Sequence, residues 1–158
     1  MTGSHPPPRE ALIVAHGQPG DPAPAEAEIA ELAAKIAEEL PGWQVRGATL
    51  AAPGALEAAL AECEGAPLVY PLFMTDGWFV TSQLPRRLDG RGRVLAPLGL
   101  DAALPALAAE ALAAAAGARG WATGETRVLI AGHGSGRSRN SARATEGFAR
   151  ALAALNGF

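Results

Sequence analysis

Short apolar runs alternate with longer stretches of helical period along most of this chain. Residues 11–15 are continuously apolar and end in His16-Gly17, the pattern of a strand buried on both faces. Ile29, Leu32, Ile36 and Leu40 then fall on one helical stripe, which Pro41-Gly42 closes. Residues 44–50 predict a second strand, and Pro53-Gly54 opens a helix carrying Leu56 and Leu60. Residues 68–73 predict a third strand, with Pro71 its weak point. Val80, Leu84 and Leu88 predict a short third helix broken near Pro85. Residues 94–96 predict a fourth strand, and residues 101–116 a fourth helix with Pro105 in its first turn.

Strands that alternate with helices imply right-handed crossovers and a mostly parallel sheet covered on both faces. The expected fold is therefore three-layer α/β/α with a four-stranded sheet. Ligands of such sheets bind where the strands end and the loops to the helices begin. The opening pattern then returns: residues 12–17 (LIVAHG) are echoed by residues 129–134 (LIAGHG), each followed by a polar loop and a helical stretch. The organisation read from this is a disordered tail over 1–10, an α/β lobe over 11–116 and a linker over 117–126. Residues 127–158 would supply the first strand and helix of a second, incomplete lobe. A lone βα unit cannot bury its own faces, and an exposed parallel edge invites pairing, so a homo-oligomer is among the expectations.

Composition narrows the picture without fixing it. The 158 residues are 49% hydrophobic and 18% charged, with a net charge of -3, which disfavours nucleic acid as a partner. Cys63 is the only cysteine, so no internal disulfide is available and a cytoplasmic setting is expected. The Ala-rich stretch 104–116 contains Glu110 and is too short to cross a bilayer, and the proline-rich start has no apolar segment of the secretory kind.

Candidate chemistry gathers where the predicted strands end. His16 lies on the binding edge, and Gly17 permits close approach of a ligand; its imidazole suits a divalent metal or a proton, or merely caps the strand. His133 holds the matching place in the repeat, within residues 132–138 (GHGSGRS). Glycines and serines ahead of a helix also suit an anion. However, neither a P-loop nor a G-x-G-x-x-G is present, and Ser135 does not stand in a G-x-S-x-G elbow. Asp76, after strand three, fits a metal ligand, a proton carrier or a helix cap. Trp78 and Phe79 fit the floor of a cleft for a flat ligand, or plain core. Arg86, Arg87, Arg91 and Arg93 suit either a carboxylate-rich ligand or a solvated loop.

The ordered set of residues 14–17, 70–74, 77–85 and 96–100 resembles the sirohydrochlorin chelatase family, whose cobalt branch is called CbiX. The resemblance implies a ferrochelatase-like fold and insertion of Co2+ or Fe2+ into sirohydrochlorin or its reduced precursor, precorrin-2, in cobalamin or siroheme biosynthesis. It implies no prosthetic group, a tetrapyrrole and a divalent metal as substrates, and no membrane or nucleic-acid partner. His16 matches the family's first histidine and would hold metal or take a pyrrole proton, with His133 facing it as a second ligand. Gly17, Asp76, Trp78, Phe79 and Ser135 would line the substrate. The family's second histidine falls at Phe79, and a phenyl ring neither ligates nor accepts a proton. The alternative is therefore a lobe that binds a tetrapyrrole or a partner and has lost chelation.

Overall fold

The structure, a computed structural model, describes residues 9–132 and 140–155. Four strands form one parallel sheet in the order β2-β1-β3-β4: β1 (Arg9–Ala15), β2 (Trp43–Thr49), β3 (Leu68–Pro71) and β4 (Arg93–Val94). Helix α1 (Pro22–Glu39) crosses from β1 to β2, and α2 (Ala55–Ala61) from β2 to β3. A π-helical turn over Phe79–Gln83 and α3 (Leu84–Leu88) lead from β3 to β4.

Alternation along the strands builds the three layers. Leu12 and Val14 of β1 point to one face, where they meet Leu56 and Leu60 of α2, Leu84 and Leu88 of α3, and Val69 of β3. Ile13 points to the other face and packs on Ile29 and Ala33 of α1. Helix α1 lies so close to β2 that a Cβ at Gly47 would fall on the Ile29 carbonyl. The expected α/β/α arrangement with a four-stranded, mostly parallel sheet is what the chain adopts.

Several element bounds differ from the sequence expectation. Strand β1 starts at Arg9, because Glu10 is buried at its head and accepts hydrogen bonds from the Glu64 and Gly65 amides at 3.0 and 2.8 Å. Strand β3 ends at Pro71 rather than at residue 73. Pro71 sits opposite Val14 and has no N–H to extend the ladder, and the last bond from this segment runs from the Leu72 amide to the Val14 carbonyl. Strand β4 is only Arg93–Val94.

The chain divides into two compact units. The first is Met1–Phe73 with Trp78–Pro97, and the second is Met74–Gly77 with Leu98–Phe158. In the second, α4 (Leu104–Ala118) packs on α5 (Asn140–Ala153). Residues 127–132, expected to start with a strand, pair with no strand among the described residues, and Leu129 is 94% exposed. No helix among the described residues is long and apolar enough to cross a membrane.

Candidate functional site

The strand order places the switch point of the sheet between β1 and β3. From β1 the chain moves outward to β2, and from β2 it crosses back to the other side of β1. Loops leaving two such neighbours diverge over opposite faces and open a crevice at the carboxyl edge. His16 follows β1 there, and Phe73, Trp78 and Phe79 follow β3 within the same unit.

Backbone and side-chain contacts fix the first loop. The Leu50 amide donates to the Ala15 carbonyl and the Ala51 amide to the His16 carbonyl, each at 2.9 Å, so the end of β2 clamps the end of β1. Gly17 takes a φ of 74°, in the left-handed region, and a Cβ there would come within 2.7 Å of the Thr49 Cβ. Thr49 is itself held by α1: its amide and hydroxyl both donate to Glu26 Oε2, at 2.8 and 2.6 Å. Its hydroxyl oxygen in turn accepts from the Ala52 amide at 3.3 Å. Neither Glu26 nor Thr49 carries a sequence signal, since their pairing joins the first turns of α1 to the end of β2.

His16 is half-buried, and its Nδ1 lies 2.8 Å from the Gly17 carbonyl. A carbonyl only accepts, so this contact needs a proton on Nδ1, and in the neutral form of the ring the lone pair is then on Nε2. Backing of one ring nitrogen by a carbonyl is also how proteins orient imidazoles that ligate metals. The ring stands edge-on to Phe79, with centroids 4.4 Å apart and planes at 88°. Phe73 lies 6.5 Å from His16 and stacks on Phe79 at 6.2 Å, and Trp78 meets Phe79 edge-on at 5.2 Å. Trp78 is 56% exposed, so an aromatic face is available to solvent beside the imidazole.

The structure thus brings His16, Gly17, Trp78 and Phe79 together. It adds Phe73, which sequence reading assigned to strand three. Asp76 is exposed and belongs to the second unit, where Asn140 Nδ2 donates to its Oδ1 at 3.4 Å. His133 and Ser135 lie outside the described residues. Two of the four clustered arginines, Arg87 and Arg91, are tied down within the first unit. Arg87 grips Glu57 through two bonds of 2.8 and 2.7 Å and also donates to the Leu50 carbonyl, while Arg91 donates to the Leu60 carbonyl. The guanidinium of Arg87 holds the Glu57 carboxyl below its usual value. Burial pushes the Cys63 thiol up, as suits an inert core cysteine. Among the described residues, no group of three or more His, Cys, Asp or Glu side chains is placed to hold a metal.

The parallel sheet in the order β2-β1-β3-β4, covered by helices on both faces, has the topology of chelatase-like α/β lobes. The comparisons sharpen that class. No family model and no curated protein matches the chain. Among solved structures it is similar to CbiX, described as the terminal enzyme for biosynthesis of siroheme in denitrifying bacteria. The identity is 50% over 92% of this chain and 65% of that one, with a TM-score of 0.83. A CbiX protein of cobalamin (vitamin B12) biosynthesis from Marinobacter aquaeolei VT8 shares the fold, at 22% identity over 71% of this chain and 99% of that one, with a TM-score of 0.52. The chain is a homologue of the CbiX-type sirohydrochlorin chelatase family. It spans 65% of the length of the first of these relatives.

Proposed function

We propose that this chain is a tetrapyrrole-binding lobe of the chelatase family that does not insert metal unaided. The observation that carries the reading is the neighbour of His16: a phenyl ring, Phe79, fills the place where the family resemblance expects a second histidine. Insertion of a divalent metal into a free-base macrocycle releases two pyrrole protons and strips the metal of water. His16 Nε2 has one lone pair, enough to accept one proton or to hold one coordination site. Phe73 and Phe79 offer neither. What they and Trp78 do offer is apolar, flat surface beside that nitrogen, which suits the face of a macrocycle.

A second reading, insertion of Co2+ or Fe2+ into sirohydrochlorin, is favoured by the homology and by the tautomer of His16, which leaves Nε2 poised. His133, Asp76 and Ser135 would then contribute ligands or substrate contacts. One titration separates the two. Mixing the protein with sirohydrochlorin is expected to shift the absorption bands of the tetrapyrrole, and added Co2+ to enter no faster than in protein-free solution. Replacing His16 with Ala should weaken the binding roughly tenfold, the worth of one good polar contact. Co2+ insertion accelerated by the wild-type chain and lost in H16A would establish the second reading instead. An unshifted spectrum would defeat both.

A further inference from the structure

The turn that carries Phe79 is unusual. Residues Phe79–Gln83 form a π-helical turn, closed by the Leu84 amide donating to the Phe79 carbonyl five residues earlier. Such turns are rare and occur mostly as single wide turns next to functional groups. Its chemical cause stands immediately downstream. Pro85 occupies the first turn of α3. It has no N–H to give to the carbonyl four residues before it, and its ring crowds that position in a regular α-helix. A wider turn relieves the crowding.

The consequence is a rotation. Leu84 and Leu88 anchor α3 in the core, so the direction of α3 is fixed from behind. One residue inserted ahead of that anchor turns the preceding side chains by about 100° relative to a regular helix. Phe79, the first residue of the turn, lands edge-on against His16 and stacks on Phe73.

We infer that Phe79 is a positioning residue: the π turn ahead of Pro85 lays its ring against His16 and holds the imidazole with Nδ1–H on the Gly17 carbonyl, leaving the lone pair on Nε2. The phenyl ring is then not merely the mark of a lost ligand. It keeps the remaining imidazole in the one tautomer and orientation that presents a lone pair to a ligand. This inference rests on the reading of His16 as the acting group of the site, but its test needs no tetrapyrrole.

The experiment is nitrogen-15 NMR of the imidazoles in the intact chain, which has only 3 histidines, with His16 assigned through H16Q. In a neutral ring, protonated and bare ring nitrogens resonate far apart, so the two tautomers are read directly. Wild-type His16 is expected to show a dominant Nδ1–H tautomer. Phe79→Leu, which keeps bulk and removes the ring, should lower the ratio of Nδ1–H to Nε2–H roughly three- to tenfold, the worth of one aromatic edge contact. Phe79→Tyr should restore it, and Pro85→Ala should lower it by letting the turn tighten. A His16 ratio unchanged in a folded F79L overturns the inference, as does a dominant Nε2–H form in the wild type. An unchanged ratio in P85A overturns the part assigned to the π turn. Should F79L not fold, Phe79→Met is read in the same way. Tautomer control by Phe79 in a protein that fails to shift the sirohydrochlorin spectrum would leave this inference standing and defeat the proposed function alone.

Discussion

Gly17 is the residue on which the geometry of the imidazole loop turns. Its φ of 74° suits glycine, and the space where a Cβ would go is taken by Thr49, which Glu26 holds from two sides. Gly17→Ala therefore meets a backbone penalty and a clash together. Each costs about 1–3 kcal/mol, and partial relaxation makes the sum about 2–4 kcal/mol. Urea unfolding followed by circular dichroism should show the midpoint fall accordingly. The tetrapyrrole spectrum of the still-folded variant should weaken, because the carbonyl that holds His16 Nδ1 belongs to the displaced residue. A midpoint within experimental error of wild type would mean that the loop has freedom the structure does not show.

At the scale of elements, helix α3 and helix α2 are joined on one face of the sheet by Arg87, whose fork spans Glu57 of α2 and the carbonyl after β2. The Glu57 carboxyl is lowered, first by its hydrogen bond to Arg87. A carboxyl lowered in the folded state binds protons more readily when unfolded, so the pair stabilises the fold above the unfolded value of Glu57. That contribution disappears as the pH falls through the folded one. Glu57 is half exposed, and solvent screening keeps the contribution to about 1 kcal/mol or less. The stability difference between wild type and Glu57→Gln should thus be present at pH 7 and vanish in acid, and chemical denaturation at a series of pH values reads it. A difference that grows toward low pH would show the sign to be wrong.

The same elements show what a sequence makes legible. The runs at 11–15 and 68–73 and the stripe through Ile29 and Ile36 announce a buried parallel sheet, because burial on both faces leaves no polar position to mislead. The carboxyl-edge rule then singles out His16, Gly17, Asp76, Trp78 and Phe79; the fold brings four of them together, while Asp76 belongs to the second unit. The π turn escapes notice because a spacing of four between Val80, Leu84 and Leu88 fits an α-helix equally well. Phe73 escapes because its apolar neighbours prolong the look of a strand past Pro71. The segment 127–132 misleads for the opposite reason. Its composition repeats that of β1, but a strand is made by its neighbours, and the described residues supply none there.

For the whole molecule, the distribution of buried side chains is uneven, and that has a measurable consequence. Among the described residues, every buried hydrophobic except Ala116 and Leu152 lies in the first unit, around β1, β2 and β3. The second unit instead exposes Met74, Leu100, Leu107, Trp121, Leu129 and Leu155. Opening free energy follows the apolar surface that a segment must release to water, so segments with one buried side chain open far more often than a strand buried on both faces. Native-state hydrogen exchange should therefore protect the amides of Leu12–Val14 and Val69 by the full unfolding free energy. The amides of α4 and α5 should exchange through smaller openings, with rates that respond weakly to low urea. Equal protection in α5 and β1 would require that α5 be covered by surface that the described residues do not provide. A partner added in trans that slowed exchange in α4 and α5 alone would identify those two helices as the face it covers.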